Sequence, residues 1–308
     1  MTRRGKLILC CAIVYLVWGS TYLVTKIGVR ELPPFLFGGV RFVISGVMLW
    51  AVAQLLGHST GRVDRIELRH LVIVGFCTVL LSNGFNVWGL QWVPSNQSAL
   101  VNASASLWIA LFGAFGRRAH AITRRVAAGL LLGFAGVALI VWPGSAAPPA
   151  SGAASPYGLV LPQLGILVGC FSWAVGTIYI RNVETSLDLL SFTGLQMLCG
   201  GVMLLLLGLA TGEASRWNWS VPGIAALLYM ILFSSCLAYT AYAWLSQNAT
   251  PAQVGSYGFV APAIATALGW SVLDERLSGA QLLGMPVILA ALVLVSWPQA
   301  ERQPGSPG

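Results

Sequence analysis

The residues of this chain that are able to do chemistry sit inside long apolar runs, and they recur in pairs. Trp18 leads Ser20, Thr21 and Tyr22, and Trp173 leads Thr177 and Tyr179; an indole wall with hydroxyls beside it can hold an amphipathic or aromatic solute by stacking and hydrogen bonding. Asn83 and Asn86 lie one helical turn apart, as do Tyr239 and Tyr242, so each pair aims two hydrogen-bonding side chains in one direction. Ser95, Ser98, Asn102 and Ser106 step by three and four along one helix face. Ser95 and Ser98 suit packing between membrane helices. An amide as deep as Asn102 needs partners that water or a solute can supply, which makes it a cavity residue. Tyr257, in a Gly-Ser-Tyr-Gly setting, precedes Pro262, and a proline in mid-helix frees a carbonyl. The substrate-binding candidates are therefore Trp18, Thr21, Tyr22, Asn83, Asn86, Asn102, Trp173, Thr177, Tyr239, Tyr242 and Tyr257.

Three cations are candidates for gating or electrostatic roles. Lys26 and Arg181 fall near the ends of their runs, where long basic side chains snorkel to the headgroups. Arg41 lies deeper, as a gate partner or an anion-attracting group, and Glu31 is its natural acid partner. No catalytic or metal-ligating set is expected. His58, His70 and His120 lie in or beside loops, and the six cysteines lie in apolar runs without the spacing of a zinc or redox motif. No cofactor is implied. Asp64, Glu67, Asp188, Glu213, Asp274 and Glu275 fall at loops or helix ends, which leaves no membrane-embedded acid for proton coupling.

These groups must be positioned by elements that live in lipid. With 57% hydrophobic and 8% charged residues among 308, the chain lacks the polar surface a soluble domain needs. A bilayer needs about 20 apolar residues per helix. About ten such stretches begin near Leu7, Phe35, His70, Ser95, Arg125, Tyr157, Leu189, Val221, Pro251 and Ser278. Residues 144–156, rich in Pro, Gly, Ser and Ala, read as a flexible linker between halves 1–143 and 157–297; residues 298–308 read as a disordered cytoplasmic tail. The run after Met1 to Lys6 is as long as a spanning helix and leads straight into another, so it reads as mature sequence. The net charge of +8 comes from Lys and Arg in short loops, without the aromatic interleaving of a nucleic-acid binder. The positive-inside rule then places both termini in the cytoplasm.

The halves repeat each other. Gly46-Val47-Met48-Leu49 recurs as Gly201-Val202-Met203-Leu204, and at the same offset Trp18 matches Trp173, Lys26 matches Arg181, Arg41 matches Gln196 and Gly129 matches Gly284. One residue further on, Asn83 matches Tyr239, Asn86 matches Tyr242 and Gln97 matches Gln253. A fixed period of this kind marks a duplication. Since each half holds an odd number of helices, the second enters the membrane in the opposite sense. The expectation is an all-α integral membrane protein of about ten transmembrane helices in two five-helix inverted-topology repeats, with the substrate site near the midplane between them.

The stretch WGSTYLVTKIGVRELPPFLFGGVRF, the later PAQVGSYGFVAPAIATALGW and Glu275-Arg276-Leu277 resemble the ten-helix EamA-like permeases of the drug/metabolite transporter superfamily over nearly the whole chain. One departure is visible: the first-half counterpart of Glu-Arg-Leu falls within GRRAHAI and lacks the glutamate. The resemblance implies a bacterial inner-membrane exporter of amino acids, their derivatives, pigments or drug-like compounds. Its partners would be a small-molecule substrate and the lipid bilayer, with monomer and oligomer both open. Sugar-nucleotide or phosphate antiport within the superfamily would call for more cavity cations. An intramembrane enzyme would need a helix-centre base, and a channel would need a continuous pore with a selectivity ring.

Overall fold

The computed structural model describes residues 2–57, 63–114, 122–142, 156–249 and 257–296. They form ten main helices and two short 3-10 turns, Pro156–Leu159 and Glu213–Arg216, and among the described residues there are no strands. The first repeat holds α1 (Arg3–Glu31), α2 (Pro34–Leu55), α3 (Arg65–Gly89), α4 in two pieces (Ser95–Asn102 and Ser104–Phe112) and α5 (Arg124–Val141). The second holds α6 (Val160–Asn182), α7 (Leu189–Ala210), α8 in three consecutive pieces (Val221–Tyr229, Met230–Leu237 and Ala238–Asn248), α9 (Tyr257–Leu273) and α10 (Gly279–Ser296). Seven of these are long and apolar enough to cross a membrane. The expected start near Pro251, the GRRAHAI counterpart, nearly all of the linker and the tail lie outside the described residues.

Helix starts follow capping chemistry. Asp64 accepts the Ile66 and Glu67 N–H groups, so α3 begins at Arg65, earlier than the expected His70, and takes Glu67 into its first turn. Asp188 caps α7 and Ser220 caps α8 in the same way. By contrast, α2 and α4 start after prolines that offer no side-chain cap, and each borrows a carboxylate from the other repeat. Glu213, in the α7–α8 connection, accepts Leu36 N–H at 2.8 Å. Glu275, in the α9–α10 connection, accepts Ser95 N–H at 2.8 Å and Asn96 N–H at 3.0 Å. Carboxylates are favoured there because the positive end of a helix dipole presents free N–H groups.

Packing between repeats is mutual. The most extensive helix contact is α2 with α7, which are repeat mates, and α5 with α10, also mates, comes next. Helix α1 packs on α8 and α9, and its mate α6 packs on α3 and α4. Each helix therefore meets the counterpart of whatever its own mate meets, as a pseudo-twofold axis requires. The recurring GVML element explains part of this. A Cβ on Gly46 would lie 2.7 Å from Gly194 O, and one on Gly201 would lie 2.7 Å from Val43 N, so these glycines let the α2 and α7 backbones touch.

In the middle of α3 and of α8 the backbone widens into π-helical segments, Phe76–Asn83 and Met230–Leu237. They occupy matching places in the two repeats, the first ending at Asn83, one turn before Asn86, and the second just ahead of Tyr239–Tyr242. Such widenings rotate the residues that follow and leave carbonyls to be satisfied by side chains. Asn83 Nδ2 donates to Thr78 O at 2.7 Å.

Candidate functional site

Helices α1, α2, α3, α4, α6, α8 and α9 surround a cavity of about 150 Å³. Trp18, Thr21, Tyr22, Arg41, Asn83, Asn86, Asn102, Trp173, Tyr239 and Tyr257 all line it. Both repeats contribute. Of the remaining sequence candidates, Tyr242 packs on Trp18 and Tyr257 without lining the cavity, and Thr177 spends its hydroxyl on Trp173 O at 2.8 Å, one turn away. Thr25, Ser82, Ala105, Cys170, Met230, Ser234 and Ala261 also line it, though their types gave no sign of it in sequence.

One wall is aromatic. The Trp18 ring lies 5.4 Å from Tyr239, 5.1 Å from Tyr242 and 4.9 Å from Tyr257, centroid to centroid, and its Nε1–H donates to Ser234 O at 3.4 Å. The contacts with Tyr239 and Tyr257 are edge-on and that with Tyr242 is tilted, and together they fix the indole plane. No hydrogen bond among the described residues takes up the Tyr22, Tyr239 or Tyr257 hydroxyl. The facing wall is an amide cluster. Ser98 Oγ donates to Asn86 Oδ1 at 3.0 Å, and Asn102 Nδ2 donates to Asn86 Oδ1 at 3.2 Å and to Ser98 O at 2.9 Å. The polar stripe on α4 thus holds Asn86 of α3 in place.

Arg41 enters from α2 and is only 6% exposed. Its Nε–H donates to Ser235 Oγ and an Nη2–H to Ser234 Oγ, each at 3.0 Å, and the guanidinium carbon sits 4.4 Å over the Phe42 ring. Glu31, its expected acid, does not pair with it: the ion pair among the described residues is Arg216–Glu213, at 3.7 Å. The serine hydroxyls come from the π-helical segment of α8, which turns two successive serines toward α2.

Lys26 departs from the expected snorkelling. It is buried, and Nζ donates to the carbonyls of Leu90 at 2.6 Å, Val93 at 2.9 Å and Gln91 at 3.3 Å. The reason is the carboxyl end of α3, whose open carbonyls offer a better site than the headgroup region. On the other side of the same turn Glu275 holds the start of α4, with Ser95 Oγ donating to it at 2.7 Å. Asp274 ends α9 in the left-handed backbone region, φ 54°, which brings Glu275 over that turn. Arg181, the repeat mate of Lys26, is exposed at the end of α6. Glu67, at the α3 start, accepts Ser186 N–H at 2.6 Å and Thr185 Oγ1–H at 2.9 Å.

With this geometry the chain joins a known group of proteins. Over 92% of its length it is 33% identical to the inner membrane transporter YedA of Escherichia coli K12, covering 88% of that protein. It is 28% identical to the transporter YvbV of Bacillus subtilis over 95% of its length and 92% of the relative. A solved crystal structure 20% identical shares the fold with a TM-score of 0.64, over 95% of this chain and 96% of that one. The model of the EamA-like transporter family matches twice, over residues 5–142 and 161–297, which accords with two five-helix repeats. The chain belongs to the EamA-like transporter family, and it is a multi-pass membrane protein.

Proposed function

We propose that the protein is an inner-membrane exporter that moves a small amphipathic solute by alternating access, its two repeats rocking about the central cavity. The observation that carries this reading is the cavity itself: both repeats line it, the first with Trp18, Arg41 and the amide wall and the second with Trp173, Tyr239 and Tyr257, so rocking of the repeats would change its access. The name of the relative YedA supports the inner membrane, and the loop cations support a cytoplasmic position for both termini. Lys26 and Glu275 then seal the outer end. The described carboxylates that cap helices are committed to structure, which favours a cycle without a proton carrier in the cavity.

Antiport of sugar nucleotides or phosphates is disfavoured, because Arg41 is the only Lys or Arg among the described lining residues and a phosphate dianion calls for more. An enzymatic role is disfavoured as well. The nucleophile at hand, Cys170, directs its thiol to Val101 O and Asn102 Oδ1, and no histidine or acid stands among the described lining residues to activate it. The test is metabolite profiling of the medium from cells with and without the gene. A solute that accumulates outside only when the gene is present supports export; identical media argue against it.

A further inference from the structure

Among its described lining residues the cavity holds one cation and no acid. Arg41 directs two of its N–H groups to serine hydroxyls, and a guanidinium has donors to spare after that. No protein group among the described residues takes the others. Hydroxyl acceptors orient a cation without neutralising it, so no described residue compensates the charge of Arg41 in this buried site between membrane helices. Arginine is costly there and is retained where it meets a counter-ion or a transport path. The Tyr22, Tyr239 and Tyr257 hydroxyls, which no hydrogen bond among the described residues takes up, can each donate to a solute oxygen as well. On the amide wall the acceptors are neutral and engaged: Asn86 Oδ1 takes two hydrogen bonds and Asn102 Oδ1 takes the Cys170 thiol. Asn83 leaves one amide oxygen, which does not balance a charge.

This accounting, which rests on the transporter reading above, names a substrate class. We propose that the solute is a monoanion, a carboxylate carried on an aromatic or branched apolar body without a charged amine, docked through its carboxylate on Arg41. A guanidinium presents a planar fork that matches two carboxylate oxygens. The rings of Trp18, Trp173, Tyr239 and Tyr257 suit the apolar body. A zwitterion would bring an ammonium into a cavity with no acid among its described lining residues. A net charge of minus one has a consequence for energetics. An inside-negative membrane potential drives such a solute outward by about 50-fold per 100 mV at equilibrium, without proton coupling.

The test uses the purified full-length protein and matched probes on one carbon skeleton: 3-phenylpropionate, 3-phenylpropanamide and phenylalanine, with the corresponding sets on the tryptophan and leucine skeletons. Binding is read as thermal stabilisation. On the best-fitting skeleton the acid is expected to bind at least about tenfold tighter than both its amide and its amino acid. Arg41→Gln is expected to erase that preference and Arg41→Lys to keep its order at weaker affinity. The wild-type comparison stands even if a variant fails to fold. Equal binding of acid and amide, tighter binding of the amino acid, no binding by any acid, or a preference that survives Arg41→Gln overturns the assignment. Trp18→Ala separates the levels: acid binding that it leaves unchanged lies outside the cavity and overturns the transporter site too, whereas Trp18-dependent binding of the amide or amino acid overturns only the charge class. In proteoliposomes, accumulation of the acid is expected to follow an imposed potassium diffusion potential; accumulation that follows a pH gradient alone contradicts charge movement by the solute.

Discussion

At the scale of single residues, Trp18 does two separable things. It is the platform on which three tyrosine rings pack, and its Nε1–H ties α1 to α8 through Ser234 O. Trp18→Phe keeps a ring and loses the hydrogen bond, and is expected to weaken solute binding by about 1 kcal/mol; Trp18→Ala loses both and is expected to abolish transport. Solute-induced thermal stabilisation beside an efflux assay distinguishes them. Asn86→Ala is expected to cost about 1–3 kcal/mol of stability and most of the transport, because it leaves Ser98 and Asn102 without their shared acceptor. Which residues gather here was largely legible, since pairing across the repeat marked Trp18 with Trp173 and Asn83 with Tyr239. Thr177 and Lys26 were not. A hydroxyl satisfied by its own helix and a lysine drawn to the carbonyls of a neighbouring turn have the same sequence appearance as a ligand and a snorkelling side chain.

At the scale of elements, the α2–α7 contact sets how the repeats meet. Gly46→Val or Gly201→Val drives a branched side chain into backbone, and each is expected to destabilise the protein by more than about 1 kcal/mol, read as a lower unfolding temperature. The two together are expected to be less than additive, since either one already separates the helices. Helix number and approximate starts were legible because apolar length is the dominant constraint in a bilayer. The π-helical segments were not, because over eight residues their wider period barely shifts an apolar pattern. Nor were the borrowed caps visible: Pro33 and Pro94 show that α2 and α4 lack caps of their own, but only the fold brings Glu213 and Glu275 to them.

At the scale of the whole molecule, the repeat mates Lys26 and Arg181 are in different states, one buried on the α3–α4 turn and the other exposed. In the alternating-access cycle proposed above, the grip of Lys26 and Glu275 on that turn would release. Combining Lys26→Met with Glu275→Gln is therefore expected to raise labelling of Cys170, a cavity residue, by an impermeant maleimide added outside, in a variant whose other cysteines are replaced. Unchanged labelling would mean that this turn is no gate. The central claim, that one cavity shared by two repeats carries the solute, is tested most directly by counterflow. Proteoliposomes are loaded with the unlabelled solute that profiling identifies and diluted into a trace of labelled solute. The labelled solute is expected to overshoot its equilibrium level transiently with the wild-type protein and not with Asn86→Ala; monotonic filling with both, or an overshoot that Asn86→Ala leaves intact, contradicts the account.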